Sequence, residues 1–322
     1  MFKKILTIWC LLFISTHVFA QNYPNKQIRF VIPFPPGGAT DIIGRIISME
    51  LTKTLGQQVV VDNRGGSSGN IGADIVAKSP NDGYTLLMGA MTSHAINASL
   101  EKATIRYDLE KDLMPIAVVG VVPMVIVVNP KLPVSNIKEF ISYAKANPGK
   151  VTFASSGAGA PQRLAMEMLK NATQIDILHI PYRGSGPAMT DLVGGQVVSM
   201  SETLPASQQF IESKQLRPLA VTTAYRLKPL PDVPTITESL GIPNFDVVSM
   251  FGVMAPAGTS PVIIQRISDD LKAILQKPDV QERMLAAGVF VNYMNSKDAS
   301  VKLRQEVAMW GKVIRESQIT PD

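Results

Sequence analysis

Short stretches rich in β-branched residues alternate with amphipathic helical patterns along most of this 322-residue chain, and that alternation restricts its fold more than any other feature. Such alternation is typical of α/β architectures, in which helices cover a mainly parallel sheet. Apolar residues at helical spacing, such as Ile43, Ile47, Leu51 and Leu55, indicate a helix face that packs on a core. The predicted strands are residues 28–33, 59–62, 85–88, 116–119, 124–128, 152–154, 176–180, 219–222 and 247–254.

Helix boundaries are marked as well. Ser135 is placed to cap a helix that ends near Asn147, and Pro187 opens a helix that stops at Gly194. Proline at the start of a helix and glycine past its end is the asymmetry that helices prefer.

A strand, a turn of prolines and glycines, and a helix follow one another over residues 29–41. Such a turn leaves backbone N–H groups accessible at the positive end of the helix dipole, which suits an anion. An ordinary strand–helix connection capped by Thr40 or Asp41 is the alternative interpretation. The candidate binding residues of this first turn are Phe34, Pro35, Gly37, Gly38, Thr40 and Asp41.

A second strand–turn–helix junction, over residues 151–161, repeats this design with serines and glycines in the turn. Arg163 follows it and can pair with a carboxylate or face solvent. The candidate binding residues of the second turn and of two further segments are Ser93, Ser155, Ser156, Gly157, Gly159, Gln162, Arg163, Tyr182 and Arg183. Two such turns in different halves of the chain, with no catalytic group clearly beside them, predict a clamp that closes on a small anionic ligand.

The glycine-rich segment 65–72 lacks the Lys-Ser/Thr ending of a P-loop and the spacing of a dinucleotide fingerprint, so we predict a structural loop. Ser142 and Lys145 have S-x-x-K spacing but fall inside a predicted helix. His94 and His179 have no neighbours at metal-ligand spacing; His179 is interpreted as structural, and His94 as a residue able to line the cleft. The sequence therefore predicts no enzyme, no metal and no cofactor.

The N-terminus has the pattern of a secretory signal peptide. Lys3 and Lys4 precede an apolar run, and a small-residue site ends at Ala20. We predict export to a bacterial periplasm, with residues 1–20 removed after Ala20. Removal also takes Cys10, the only cysteine, so the mature chain has no disulfide and depends on core burial.

Charge and hydropathy exclude two function classes. The formal charge of +5 falls to +3 without Lys3 and Lys4, and no basic block is interleaved with aromatic residues, so nucleic acid is not a predicted partner. The longest apolar run after the signal peptide, residues 116–128, is interrupted by Gly120 and Pro123, which argues against a membrane span.

Two apolar strands that end in proline, residues 124–130 and 247–256, are suited to cross between two lobes. We therefore predict a first lobe of residues 21–122 and 247–322 and a second lobe of residues 123–246.

From about Pro24 to the C-terminus the chain resembles the substrate-binding proteins of tripartite tricarboxylate transporters, the Bug receptors. Each motif is common, and the ordered set is specific. The motifs are Pro33-Phe34 with Gly37-Gly38 and Asp41, Val61-Asp62-Asn63-Arg64, Gly69-Asn70-Ile71-Gly72, Asp82-Gly83-Tyr84-Thr85-Leu86, Pro181-Tyr182-Arg183-Gly184, Gly194-Gly195-Gln196-Val197, Leu230-Pro231-Asp232-Val233-Pro234-Thr235 and Ala255-Pro256-Ala257-Gly258-Thr259.

This resemblance implies the type II fold of periplasmic binding proteins. Two α/β lobes, each a mainly parallel sheet flanked by helices, enclose a ligand cleft and close over a small organic acid. The implied partners are the large and small membrane subunits of a secondary transporter that uses an ion gradient, and a monomer suffices. A sensor that feeds a signalling protein, or an enzyme acting on an organic acid, is the alternative.

Some positions depart from the family pattern, so the resemblance does not define the acid. Arg163 replaces a histidine, Met250 replaces a tryptophan, and Val198, Ser201 and Glu202 replace an Asp and a later Phe-Asp pair. Our hypothesis is that Arg163 favours more anionic ligands. Unchanged affinity of Arg163→Ala for di- and tricarboxylates would contradict it.

Overall fold

The computed structural model describes residues 23–157, 159–243, 245–316 and 318–321. The predicted signal peptide, its cleavage after Ala20, and Ala158 of the second turn lie outside the described residues.

Strands and helices alternate as the sequence predicts. The strands are β1 (Ile28–Ile32), β2 (Val59–Asn63), β3 (Thr85–Ala90), β4 (Leu113–Val128), β5 (Val151–Ser155), β6 (Ile177–Pro181), β7 (Ser199–Thr203), β8 (Arg217–Val221), β9 (Val248–Pro256) and β10 (Phe290–Asn295). The helices are α1 (Ala39–Leu55), α2 (Asn70–Ala77), α3 (Met91–Leu100), α4 (Ile137–Ala146), α5 (Pro161–Thr173), α6 (Ser185–Gly194), α7 (Leu204–Glu212), α8 (Ile236–Leu240), α9 (Pro261–Leu275), α10 (Pro278–Ala286) and α11 (Ser296–Glu316).

The strands join in the order β2-β1-β3-β9-β4-β7-β5-β6, and β8 and β10 also pair with β4. β1 is parallel to β2 and β3, and β5 is parallel to β6 and β7. The pairs that involve β4 or β9 are antiparallel. The predicted α/β fold with flanking helices is confirmed, and the sheet is mixed because β4 and β9 run against their neighbours.

Strand β4 belongs to two parts of this sheet. Residues 113–123 pair with β9, and residues 124–128 pair with β7 and β8. We call β1, β2, β3, β9, β10 and residues 113–123 of β4 the first sheet region. The second sheet region comprises β5 to β8 and residues 124–128 of β4.

Several local predictions need correction. The two strands predicted at 116–119 and 124–128 form one strand, because a register shift absorbs Gly120, and Pro123 pairs with Val248 inside the strand. β7 and β10 were not predicted; β7 lacks a β-branched run, yet all its residues are buried. Asn136, not Ser135, caps α4 and accepts a hydrogen bond from the Glu139 N–H.

The core confirms the predicted helix stripes. Ile43, Ile47 and Leu51 of α1 are fully buried, and they pack with Phe30 of β1 in one apolar cluster. Across the described residues we find no helix both long and apolar enough to traverse a lipid bilayer.

Candidate functional site

The first turn joins the carboxyl end of β1 to α1. Gly38 is the N-cap of α1, and no side chain caps this helix. The alternative interpretation, in which Thr40 or Asp41 caps α1, is wrong, because both lie buried inside the first helical turn. Pro35, Gly37 and Gly38 are exposed. Gly37 has a φ of 92°, a conformation that favours glycine.

Asp41 holds this turn together from within. Its carboxylate accepts hydrogen bonds from the Gly37 N–H (3.0 Å), Arg45 Nε (3.0 Å) and Asn63 Nδ2 (2.9 Å). Burial alone would raise the pKa of Asp41, but these hydrogen bonds and the Arg45 charge outweigh it and lower the pKa. Asn63 Nδ2 also donates to the Phe34 carbonyl (3.0 Å). Asp41 is therefore committed to its own turn, and so is the Gly37 N–H that we expected to be accessible.

The second turn, after β5, is stabilised by a serine–histidine contact. Ser155 Oγ is buried, lies 2.7 Å from His179 Nε2, and accepts a hydrogen bond from the Gly157 N–H (3.3 Å). Burial, together with the charges of Arg163 and Lys170, lowers the pKa of His179 to about 4. A neutral His179 thus supports the turn, in agreement with its predicted structural role.

Gln162 leads to a buried carboxyl group at the end of β7. Gln162 Nε2 donates to Glu202 Oε1 (3.2 Å), which also accepts from the N–H (2.6 Å) and the hydroxyl (2.9 Å) of Thr203. Glu202 is fully buried, and its Oε2 has no hydrogen-bond partner among the described residues. Burial raises the pKa of Glu202, although the nearby Ser185 hydroxyl and the donors to Oε1 oppose this effect.

The remaining candidates of the second region differ in their surroundings. Arg163 is 6% exposed, and its Nε lies 3.8 Å from Glu167 Oε1 one helical turn later. The Tyr182 hydroxyl donates to Asp191 Oδ2 (2.7 Å), and burial together with this contact raises the pKa of Tyr182 to about 12. Arg183 is exposed and Ser156 is half-buried.

The glycine-rich segment 65–72, predicted to be a structural loop, lies against the second turn. A Cβ built on Gly157 would sit 3.4 Å from Ser68 Oγ. Ser67 and Ser68 have φ angles of 47° and 51°, which cost free energy in residues other than glycine. Residues 65–69 also spell the G-x-S-x-G pattern of hydrolases, but the hydroxyl of Ser67 donates to Glu101 (3.3 Å), which is not a histidine base.

Helix α3 provides the second contact between the two regions. Gly159 has no space for a side chain, since a Cβ built there would overlap Oδ1 of Asn97. Asn97 is fully buried, and its Nδ2 donates to the Ser68 carbonyl (3.1 Å), which ties α3 to the 65–72 loop. Ser93, a predicted site residue, is half-buried on this helix.

The structure thus joins part of the predicted site and adds to it. Gly157 and Gly159 of the second turn meet Ser68 and Asn97, and Phe34 packs against the same loop at Gly69. Ser68, Asn97 and Glu202 were not predicted as site residues. The available sequence signs were a serine pair between glycines, for Ser68, and a departure from the family pattern, for Glu202. Two surface cavities of about 500 and 240 Å³ lie elsewhere, beside Arg29 and Tyr84 and beside Met114 and Arg304. Among the described residues, no group of three or more His, Cys, Asp or Glu side chains is arranged to hold a metal ion.

Comparison with known proteins identifies the architecture around these turns. Residues 43–319 match the tripartite tricarboxylate transporter family receptor, TctC. The chain belongs to this family. It is 40% identical over 305 residues to protein BugT of Bordetella pertussis, which spans 94% of this chain and 93% of BugT.

Solved structures of TctC-type proteins superpose closely. The R. palustris protein Rpa4515 with adipate is 35% identical, with a TM-score of 0.85 over 93% of this chain and 100% of that chain. The periplasmic binding protein BugD is 36% identical, with a TM-score of 0.83 over the same shares of the two chains. The TctC family is a family of solute-binding receptors, and its members are periplasmic binding proteins.

Proposed function

We propose that this TctC-family chain is a periplasmic receptor that captures a small carboxylate between its two sheet regions and delivers it to a tripartite tricarboxylate-type transporter. The observation that carries the proposal is the contact of the second turn with the 65–72 loop and with α3. Gly157 and Gly159, which follow β5, lie against Ser68 and Asn97 of the first sheet region. A ligand enclosed at this junction meets the start of α5, where backbone N–H groups favour an anion.

The two regions act as lobes in this proposal. The first comprises residues 21–122 and 247–322, the second residues 123–246, and the chain crosses between them at β4 and β9. In this position both strands can flex while the turns separate and meet again. The adipate named with Rpa4515 is a dicarboxylate, which supports a carboxylate cargo for this chain.

The family and the N-terminal sequence pattern support the remaining parts of the proposal. Export with cleavage after Ala20 brings the receptor to the periplasm, where the large and small membrane subunits meet a closed, loaded monomer. The protein binds its acid without turnover, so the acid is recovered chemically unchanged after incubation.

Thermal unfolding of the purified protein with mono-, di- and tricarboxylates, acidic amino acids and aromatic acids tests the function. A ligand at a hundred times its Kd stabilises the protein by about 2.7 kcal/mol, a shift of a few degrees. We expect the shift to be confined to one chemical group of acids. No shift with any acid, together with no acid released from the denatured protein, would contradict the carboxylate function.

A matched pair of variants locates the site. Ser156→Asp places a negative charge in the second turn and should abolish the shift by repelling the ligand carboxylate. Ser142→Asp adds the same charge on the exposed face of α4 and should leave the shift unchanged. Equal shifts in both variants would show that the second turn does not bind the acid.

A further inference from the structure

A hydrogen-bond network behind the 65–72 loop begins at a carboxylate. Asn70 Nδ2 donates to Glu101 Oε2 (3.1 Å), and a carboxylate can only accept, so the Asn70 amide is oriented with Oδ1 on its other side. That oxygen lies 3.1 Å from the hydroxyl oxygen of Tyr107 and 3.4 Å from Asn97 Nδ2. Two oxygen atoms this close need a hydrogen between them, and only Tyr107 carries one. The Tyr107 hydroxyl therefore donates to Asn70.

The same network determines the tautomer of His94. Nδ1 of His94 lies 3.4 Å from the Tyr107 oxygen, whose single hydrogen is already directed to Asn70. Nδ1 must then carry the proton and donate to Tyr107. Burial lowers the pKa of His94 to about 4, so the ring is neutral near pH 7 and holds one proton. It follows that Nε2 presents a lone pair and accepts hydrogen bonds.

His94 lies on α3 beside Gly69, one helical turn before the contact that Asn97 makes with the second region. His94 is fully buried, and its Nε2 has no hydrogen-bond partner among the described residues. Its Cε1, bonded to Nε2, would be 3.3 Å from a Cβ built on Gly69, and the Phe34 ring meets that same point at 3.0 Å. His94 and Asn97 are three residues apart on one face of α3, and Asn97 meets Gly159 of the second region.

We propose that His94 is a specificity-determining residue, which accepts a hydrogen bond through Nε2 from an O–H or N–H donor on the bound acid. The cargo is then an acid with a hydroxyl or ammonium group near its carboxylate. An acid without such a donor leaves Nε2 buried and unpaired, a cost that disfavours binding. Tyr107 is a positioning residue that keeps the proton on Nδ1. The inference rests on the proposed carboxylate function.

Calorimetric titration with matched acids tests this preference. The series are propionate, lactate and alanine; succinate, malate and aspartate; and glutarate, 2-hydroxyglutarate and glutamate. Within the series that binds, we expect the hydroxy or amino member to bind about tenfold tighter or more than the acid without a donor. The two donor-bearing members then distinguish a hydroxyl from an ammonium cargo.

Equal affinity within a series would overturn the role of His94 and leave the carboxylate function intact. Absence of binding by every acid would contradict the carboxylate function and this inference together. Long-range ¹H–¹⁵N spectra then still test the tautomer directly. We expect a protonated Nδ1 and an unprotonated Nε2 for His94 at pH 7, and the opposite assignment would refute the proposal.

Two variants separate a positioning role from a structural one. Tyr107→Phe removes the acceptor of the Nδ1 proton, so Nε2 can take that proton instead. The ratio of the affinity for the donor-bearing acid to that for the acid without a donor should then fall towards one. Tyr293→Phe loses a comparable hydroxyl contact, to Ser268, outside the site and should keep the wild-type preference. An unchanged preference in Tyr107→Phe would contradict the assigned role of Tyr107.

Discussion

Each sheet region buries one carboxyl group at a strand–helix junction, and the two regions treat that group differently. Asp41 accepts hydrogen bonds from Gly37, Arg45 and Asn63, and its pKa is lowered. Among the described residues, Glu202 accepts through Oε1 while Oε2 has no partner, and burial raises the pKa of Glu202 although the nearby Ser185 hydroxyl opposes this effect. A carboxylate with all its hydrogen bonds made stabilises the chain around it. A buried carboxyl oxygen without a hydrogen-bond partner costs free energy instead. The first turn is therefore held by the hydrogen bonds of Asp41, whereas the second region contains a buried carboxyl group that is costly to ionise.

The largest expected effect comes from separating the two regions. Gly159→Ala places a methyl group where Asn97 Oδ1 lies, so the turns cannot meet as they do here. We expect the affinity for the cognate acid to fall about 100-fold or more, because the closed population falls by the same factor. Isothermal titration measures this loss.

Two companion variants sharpen that test. Gly186→Ala also adds a methyl group in the second region, but no atom lies within 4 Å of it, so binding should be unchanged. Asn97→Ala combined with Gly159→Ala makes space at the contact and should recover part of the affinity. If Gly159→Ala bound the acid as well as the wild type, closure would not depend on this contact.

The second prediction concerns the rigid first turn. Asp41→Asn replaces a charged acceptor of three hydrogen bonds and should lower the free energy of unfolding by about 2–3 kcal/mol. Because the pKa of Asp41 is lowered in the fold, its contribution is present above its unfolded pKa and is lost as pH falls through the folded pKa. Urea denaturation at pH 7 and at pH 3 checks both statements.

An exposed carboxylate provides the control. Asp108→Asn removes the pairing with Lys111 in solvent, which should change the free energy of unfolding by less than about 1 kcal/mol. If Asp41→Asn were as mild as this variant, the first turn would not depend on its carboxylate.

A third prediction compares one histidine in each region. The pKa values of His94 and His179 are both lowered to about 4, chiefly by burial. A histidine that stays neutral in the fold stabilises it above the unfolded pKa of about 6.5, and that stability is lost as pH falls towards 4. We expect unfolding free energy to fall between pH 7 and 5, by up to about 1.4 kcal/mol per pH unit for each histidine. Imidazole signals that titrate near pH 6.5 in NMR would count against this.

The sequence was a good guide to elements that follow from local pattern. The stripe of Ile43, Ile47 and Leu51 predicts a helix with a buried face, and the structure has it. Strand β7 was missed because polar residues in a strand give no alternation when both faces are buried. Even its charged-type residue, Glu202, is buried, so residue polarity did not reveal that this segment is a core strand.

The candidate site was predictable only where backbone chemistry determines it. Gly37 and Gly157, both with positive φ, lie in the turns that Pro/Gly and Ser/Gly patterns mark. Ser68 and Asn97 were not predicted, because their roles come from contacts between segments far apart in sequence. Asp41 was assigned to ligand binding from its position after the turn, but its three donors come from residues that only the fold brings together.

The smallest expected effect concerns the buried carboxyl group of Glu202. Glu202→Gln keeps an acceptor for Gln162 and Thr203 and removes a buried carboxyl group that is costly to ionise. We expect it to raise the free energy of unfolding at pH 7 by on the order of 1 kcal/mol. Because the pKa of Glu202 is raised in the fold, the wild type suffers this cost only above the unfolded pKa of about 4.5, so the gain should vanish as pH falls towards that value. Parallel urea denaturation of both proteins at pH 7 and pH 4.5 measures it. A loss of stability at pH 7 would mean that Glu202 is as fully bonded in solution as Asp41, and the contrast between the two regions would disappear.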